Sequence, residues 1–464
     1  MALIVAGTNS GCGKSTIALG LMAALKSMGK SVQSFKAGPD FIDPGLHALA
    51  TGVISRNLDL WMCGEDYVRE CLQRHSSNAD ASIIEGVMGY FDGAERSTAA
   101  LAKATGAKVV LVVDAYGMAE SAAAIVEGFK NFSLGEGAPV DAVIFNRVGS
   151  ERHLERLRDA LGHIDIEVLG ALPREEEFSI PERHLGLMVA EEAPISDEAL
   201  GALADTVSKH IDMKRVAELG GQPPQSKGHE QVALENSTII RRVKIAVARD
   251  RAFSFYYQDN LEALARAGAE IIEFSPLNDK ALPEGIDGIY LGGGYPEMFA
   301  KELNDNHSMR ESIRGWAERD GPVYAECGGL MYLGANIKID NIGRDMCGVI
   351  PVKTELMGKR SALGYREVKL ENDCFLGASG TKIRGHEFHY SKVVSNDTAD
   401  GVSYNVLGED ADTIKSVSYK NTLASYTHLH WGGRTDVAEA IVDFIGDQSP
   451  LKRDKSPFKR TSSP

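Results

Sequence analysis

The sequence predicts two α/β domains in tandem, each built on a mostly parallel sheet with helices packed over it. Three observations predict this. Short β-branched runs alternate with helical patterns through residues 1–220, a composition break follows at 221–241, and a second strand–helix alternation begins at Val243. Several of the runs are apolar throughout, as expected of strands covered on both faces. The chain has 464 residues, more than one ordinary core organises, so two domains of roughly 200 residues are expected.

In the first half, strands are expected at 3–6, 31–36, 82–85, 109–114, 140–146 and 168–172, with helices such as 15–28 and 120–130 between them. From Gly220 the pattern collapses into Gly-Gly-Gln-Pro-Pro-Gln-Ser-Lys-Gly-His-Glu, whose Gly, Pro and polar residues mark a linker. The second half offers strands at 243–248, 270–274, 288–291 and 323–325. The division is therefore a first domain at 1–220, a linker at 221–241, a second domain at 242–448 and a flexible, basic, Ser/Pro-rich tail at 449–464.

Hydrophobic residues make up 43% and charged residues 25%, the balance of a compact enzyme. A net charge of -15 argues against a nucleic-acid partner, which normally meets a basic face. The six cysteines (Cys12, Cys63, Cys71, Cys327, Cys347 and Cys374) have no paired short spacing, so neither a disulfide framework nor a zinc ribbon is expected, and a reducing cytoplasm fits. The first apolar run has no basic leader and reads as a buried strand rather than a signal peptide. No apolar run approaches the roughly 18 residues of a membrane span, so no membrane partner is expected.

Between the first strand and first helix lies Gly7-Thr8-Asn9-Ser10-Gly11-Cys12-Gly13-Lys14-Ser15-Thr16. A glycine loop there turns backbone N–H groups toward a phosphate, aided by the helix N-terminus. ATP contacts are expected from Thr8, Asn9, Gly11, Cys12, Gly13, Lys14, Ser15 and Thr16. Lys14 would reach the β/γ-phosphates, and the hydroxyl of Ser15 or Thr16 would ligate Mg2+. Gly7 stands one residue further from Gly13-Lys14 than the common phosphate loop asks. Two more segments follow strands: Lys36-Ala37-Gly38-Pro39-Asp40-Phe41-Ile42-Asp43-Pro44 and Glu85-Gly86-Val87-Met88-Gly89-Tyr90-Phe91-Asp92. Carboxylates at strand C-terminal ends can hold magnesium against a triphosphate, so Ser15, Asp40 and Glu85 are the expected metal set. Lys36 and Asp43 are expected on the substrate side, where Lys36 would offset charge on an acyl phosphate. Asn146 is read either as an adenine contact or as a strand-end cap, and Asp92 as a turn or cap.

In the second half, Tyr324-Ala325-Glu326-Cys327-Gly328-Gly329-Leu330 places a thiol on an expected strand-to-helix turn. Upstream, Leu291-Gly292-Gly293-Gly294-Tyr295 ends a strand, and the amides of Gly293 and Gly294 are candidates for an oxyanion hole. Ser425-Tyr426-Thr427-His428-Leu429-His430-Trp431 supplies a base. A cysteine with a distant histidine is the arrangement for an acyl-thioester route.

Three resemblances follow from these segments. The first loop looks like that of dethiobiotin synthetase and its relatives, which activate carboxylates with ATP. The later segments have the order of a class I glutamine amidotransferase, in which His-x-Glu commonly supplies the base and its orienting acid. Here His430 stands where that Glu would be, so His428 is the favoured base and His430 the alternative. The whole of 1–445 resembles the cobyrinic acid a,c-diamide synthase family of cobalamin biosynthesis. The carrying motifs are Gly-Pro-Asp-Phe-Ile-Asp-Pro (38–44), Glu-Gly-Val-Met-Gly (85–89), Pro-Glu-Arg-His-Leu-Gly-Leu (181–187), Tyr-Ala-Glu-Cys-Gly-Gly-Leu-Met-Tyr-Leu-Gly (324–334), Leu-Gly-Tyr-Arg-Glu (363–367) and Arg-Gly-His-Glu-Phe-His-Tyr-Ser (384–391).

The resemblance implies a synthetase domain that phosphorylates the a and c acetates of a tetrapyrrole polycarboxylate. An amidotransferase domain would release ammonia from L-glutamine at Cys327. ATP is then a substrate, Mg2+ the cofactor, and a homodimer an assembly left open. Relatives acting on nickel sirohydrochlorin or sirohaem would use the same residues, so these macrocycles are alternatives. Arg384, His386 and His389 fall in a substrate-side motif, or are simply packed against Phe388 and Tyr390. A different class of function, an ATP-binding regulatory protein with a vestigial amidotransferase domain, is opposed by the intact Cys327, glycine loop and His428.

Overall fold

The computed structural model describes residues 2–132, 138–174, 195–221, 242–396, 404–407 and 416–448. The chain divides into two compact units, Met1–Ala233 and Leu234–Pro464. Most of the expected linker, the whole tail at 449–464 and the 181–187 motif lie outside the described residues.

The first unit holds a seven-stranded sheet of β1 (Leu3–Gly7), β2 (Val32–Ala37), β3 (Arg56–Leu58), β4 (Ala81–Glu85), β5 (Lys108–Asp114), β6 (Ala142–Val148) and β7 (Glu167–Pro173), in the order β3-β2-β4-β1-β5-β6-β7. Every pairing in it is parallel. Alternate side chains feed opposite cores: Ile4, Phe35, Ile84, Val109 and Leu111 enter one cluster, while Leu3, Val5, Val32, Ile83 and Val110 enter the other. That is the period of two of a pleated strand with both faces covered. Burying each such side chain contributes roughly 1.5–3 kcal/mol before entropy is counted. Helix α1 (Lys14–Ser27) follows β1, and α2 (Ile42–Thr51) follows β2.

The second unit adds β8 (Val243–Ala248), β9 (Ala269–Phe274), β10 (Gly288–Leu291), β11 (Val323–Glu326), β12 (Asn336–Ile339), β13 (Ile342–Asp345), β14 (Val352–Leu356), β15 (Ala362–Leu370), β16 (Lys382–His389), β17 (Ser391–Asn396), β18 (Tyr404–Leu407), β19 (Val417–Tyr419), β20 (Thr422–Ser425) and β21 (His428–Leu429). Its central sheet runs β19-β20-β11-β10-β8-β9, parallel except for the β19–β20 pair. Two four-stranded sheets, β13-β12-β14-β17 and β18-β15-β16-β21, complete it. The strands expected from apolar runs all occur, within two residues at their ends. Short, polar β3 and the two smaller sheets have no counterpart among them. No helix among the described residues is long and apolar enough to cross a membrane.

Candidate functional site

Chemistry-bearing residues gather at the C-terminal edge of the central sheet in each unit, where open α/β sheets leave a crevice for ligands. In the first unit, β1 delivers the glycine loop there, β2 delivers Lys36 to Asp43, β4 ends on Glu85, and β6 carries Asn146.

The glycine loop is held from β6. Asn146 Nδ2 donates to the Cys12 carbonyl at 3.0 Å, and Arg147 donates to the Gly11 carbonyl at 2.9 Å. Gly13 caps α1 with φ 93°, and a Cβ there would lie 1.9 Å from Asn146 Nδ2. Both its backbone and the closeness of Asn146 therefore demand glycine. Asn146 thus bonds to the loop itself. Lys14 is buried, with its Cδ close to Gly7. The exposed Thr8 hydroxyl donates to Asn9, and Asn9 Nδ2 donates to the Ser10 carbonyl.

Glu85 is the hub of the buried charge. Its Oε1 accepts from Ser15 Oγ at 2.5 Å and from Lys36 Nζ at 2.9 Å, and its Oε2 lies 2.7 Å from His47 Nε2. Lys36 also meets Asp43 Oδ2 at 2.6 Å. Burial works against the charge on Lys36, but Asp43 and Glu85 outweigh it and hold the ammonium above its ordinary range. Burial likewise opposes ionisation of Glu85, yet Lys36, His47 and Ser15 hold its carboxyl well below the usual carboxylate range. Asp40 faces its own helix: Oδ1 accepts the amides of Ile42 at 2.7 Å and Asp43 at 3.0 Å. Burial and the neighbouring Asp43 raise its pKa. Asp92 accepts from the Gly89 amide at 3.0 Å, which is a turn role.

The oxygens of Ser15, Glu85 and Asp40 are hard donors of the kind magnesium takes, and the 2.5 Å approach of Ser15 to Glu85 brings two of them together. In donor chemistry the three therefore fit Mg2+, with Ser15 and Glu85 already together and Asp40 Oδ1 turned to its own helix. Sequence reasoning missed His47. Its one signal is its place four residues after Asp43 on α2, which puts both on one helix face. Its other nitrogen lies 3.2 Å from Ser55 Oγ.

In the second unit, β10, β11 and β20 are adjacent and parallel, so their C-terminal loops converge. They carry Gly292 to Gly294, Cys327, and Tyr426 to His430. Cys327 caps the helix Gly328–Leu333 with φ 48° and ψ -103°, a strained conformation for a residue with a side chain. Its amide donates to the Ser425 carbonyl at 2.7 Å, which pins the turn between β11 and β20. Burial, followed by Glu297, Glu387 and Glu326, pushes the Cys327 thiol up, against a pull from the Gly328 amide.

His428 sits against the glycine turn: a Cβ on Gly293 would lie 2.3 Å from His428 Cε1. Burial, then His386 and His389, hold its pKa well below the ordinary value. His430 makes different contacts. Its ring packs on Tyr257 with centroids 4.5 Å apart, and its Nδ1 accepts the Gly432 amide at 3.0 Å. Of the two expected oxyanion donors, the Gly293 amide is engaged by the Phe255 carbonyl at 3.2 Å. Gly293 instead serves by leaving room for His428. Just before Cys327, Glu326 accepts from Tyr324 at 2.8 Å, Tyr290 at 2.9 Å and the Leu429 amide at 3.0 Å. It ties β11 to the histidine segment, and burial pushes its carboxyl up to about 7 against those three donors. Phe388 and Tyr390 meet each other edge to face, with centroids 5.7 Å apart, while His386 and His389 have other ring partners. His386 stacks on His428, and His389 stacks on Tyr426 at 3.9 Å.

Residues 3–187 match the CobQ/CobB/MinD/ParA nucleotide binding domain, and residues 244–436 match the CobB/CobQ-like glutamine amidotransferase domain. The chain is 43% identical to the cobyrinate a,c-diamide synthase of Syntrophotalea carbinolica, across 96% of this chain and 99% of that one. It is 42% identical to the enzyme of the same name from Synechococcus sp., across 98% and 100%. The Priestia megaterium protein of that name is also 42% identical, across 97% and 98%. Identity at this level over nearly the full length of both partners means that the chain belongs to the cobyrinate a,c-diamide synthase family, the one its motifs resemble.

Proposed function

We propose that the protein uses ATP and glutamine to convert the a and c acetate carboxylates of cobyrinic acid to amides. One observation carries this reading: a chain matching cobyrinate a,c-diamide synthases end to end keeps both halves of the chemistry, the glycine loop with the Ser15–Lys36–Glu85 cluster and the Cys327 turn. Nickel sirohydrochlorin and sirohaem have no such support, since the three relatives named above all carry the cobyrinate name. A vestigial amidotransferase is disfavoured by a nucleophile still held on its strained turn.

In the synthetase half, the loop amides and Lys14 hold the triphosphate of ATP, with Asn146 and Arg147 bracing the loop. Ser15, Glu85 and Asp40 would hold Mg2+, which when bound draws the phosphate oxygens together and neutralises their charge. The substrate carboxylate attacks the γ-phosphorus, and ADP leaves. Lys36, kept cationic by Asp43 and Glu85, offsets the negative charge of the acyl phosphate. Ammonia then displaces phosphate to give the amide.

In the glutaminase half, the Cys327 thiol and His428 are both neutral at rest, because burial disfavours each charged form. Proton transfer to His428 therefore accompanies attack of sulfur on the glutamine carboxamide. The oxyanion is received by the amides of Gly294 and of Gly328, the residue after the nucleophile. His428 returns the proton to the departing ammonia, and water then hydrolyses the γ-glutamyl thioester to glutamate and free thiol. A reducing cytoplasm suits a protein whose six cysteines form no disulfide.

The test is mass spectrometry of products after incubation with glutamine, Mg-ATP and, separately, cobyrinic acid, nickel sirohydrochlorin and sirohaem. Stepwise conversion of cobyrinic acid through a monoamide to the diamide is expected. Conversion of another macrocycle alone would overturn the substrate assignment. No conversion of any, with glutamine still hydrolysed, would show that the carboxylate belongs to a different molecule.

A further inference from the structure

In class I amidotransferases the base commonly has an acid two residues on, whereas this chain has His430 there. His430 is fixed by its own turn through the Gly432 amide, and burial pushes it down to about 4. A buried imidazole of that kind supplies no counter-charge for His428. What lies on the His428 ring is instead His386.

The contact is built into the sheet. β16 and β21 are antiparallel, and His386 stands directly opposite His428 in their register. Residues directly opposite share a face with Cβ atoms about 4.5–5.5 Å apart, close enough for rings to meet. Here the imidazoles stack, with centroids 5.1 Å apart and planes 19° from parallel. His386 is itself fixed from a third element. Tyr257, which precedes the helix Gln258–Arg266, places its hydroxyl 2.8 Å from His386 Nδ1. Turning the His386 ring over would lose that hydrogen bond. The same strand braces the histidine segment again through His389, stacked on Tyr426 with planes 13° apart.

We propose that His386 is the positioning residue of the glutamine half-reaction: anchored by Tyr257, it fixes the ring plane of His428 by stacking, the task an acid performs elsewhere in the class. The proposal rests on the reading of His428 as the base. Stacking suits a neutral pair, and burial holds both rings neutral, pushing His386 down to about 3. The acid-bearing arrangement orients the base through charge. This one orients it through the face of a ring.

The experiment is steady-state glutaminase kinetics on the full chain with ATP and cobyrinic acid present, comparing His386→Leu, His386→Phe and Tyr257→Phe. Leucine fills the space without a ring, whereas phenylalanine restores the ring without the anchor. Displacing a catalytic group by about 1 Å costs about 100-fold, so His386→Leu should lower kcat about 100-fold while KM for glutamine changes less than about twofold. His386→Phe should recover most of that loss, and Tyr257→Phe should cost about tenfold. Equal kcat for the leucine and phenylalanine variants, or an effect confined to KM, would overturn the proposal. Should His386→Leu fail to fold, Tyr257→Phe decides, and wild-type kcat there would overturn it. His428→Asn and His430→Asn separate the two readings. Loss only with His430→Asn removes the base assignment and this inference together, whereas loss with His428→Asn beside a normal His386→Leu removes the inference alone.

Discussion

Cys327→Ala should abolish glutamine-driven amidation, by about 10⁴-fold or more, yet leave amidation driven by ammonium salts in place. The size follows from losing the atom that forms the thioester, which no neighbour can replace. The sparing of the ammonium reaction follows from the proposed placing of carboxylate activation in the first unit, at the glycine loop with Lys14 and at the Lys36–Glu85 pair. Alanine removes only a buried sulfur, and Gly328 and Gly329 continue the turn into the helix Gly328–Leu333 unchanged. The check is product formation with glutamine and with ammonium chloride at the same ATP concentration. Undiminished glutamine-driven turnover would remove Cys327 from the chemistry.

Lys14→Ala should behave oppositely, losing the glutamine-driven and ammonium-driven reactions together by about 10³-fold, as expected on removing a preorganised charge from a phosphoryl-transfer site. Lys14 is buried at the start of α1, beside the loop that Asn146 and Arg147 brace. An alanine there suits the helix, so the loss should be one of catalysis rather than folding. ATP-dependent product formation with ammonium chloride is the measurement. A variant that kept it would show that this loop does not hold the ATP that activates the carboxylate.

The parallel sheets were legible because several of their strands are continuous apolar runs: Leu3 to Ala6 and Val109 to Val113 have no polar residue for solvent to face. Strand β3, Arg-Asn-Leu, is too short and polar to stand out, although its side chains are buried. The antiparallel sheets of the second unit escaped for a related reason. In β15 one face is partly open, and Arg366 and Glu367 interrupt the apolar pattern because they pair with Glu387 and Arg384 on β16. Cys327, the glycine turn and the glycine loop were legible because backbone strain restricts residue choice locally. His47 and Tyr257 were not, since each acts through a partner far away in sequence, Glu85 and His386 respectively. Gly293 follows β10 in the glycine run, but the commitment of its amide to Phe255 depends on a bridge between distant loops.

The central claim is that ATP activates the acetate as an acyl phosphate, which ammonia then intercepts. Cobyrinic acid carrying oxygen-18 in its carboxylates tests this most directly, with mass spectrometry of the phosphate released during amidation. An acyl phosphate passes one labelled oxygen to inorganic phosphate for each amide formed, and that is the expected result. Amide formed alongside unlabelled phosphate, or label found in AMP, would contradict it.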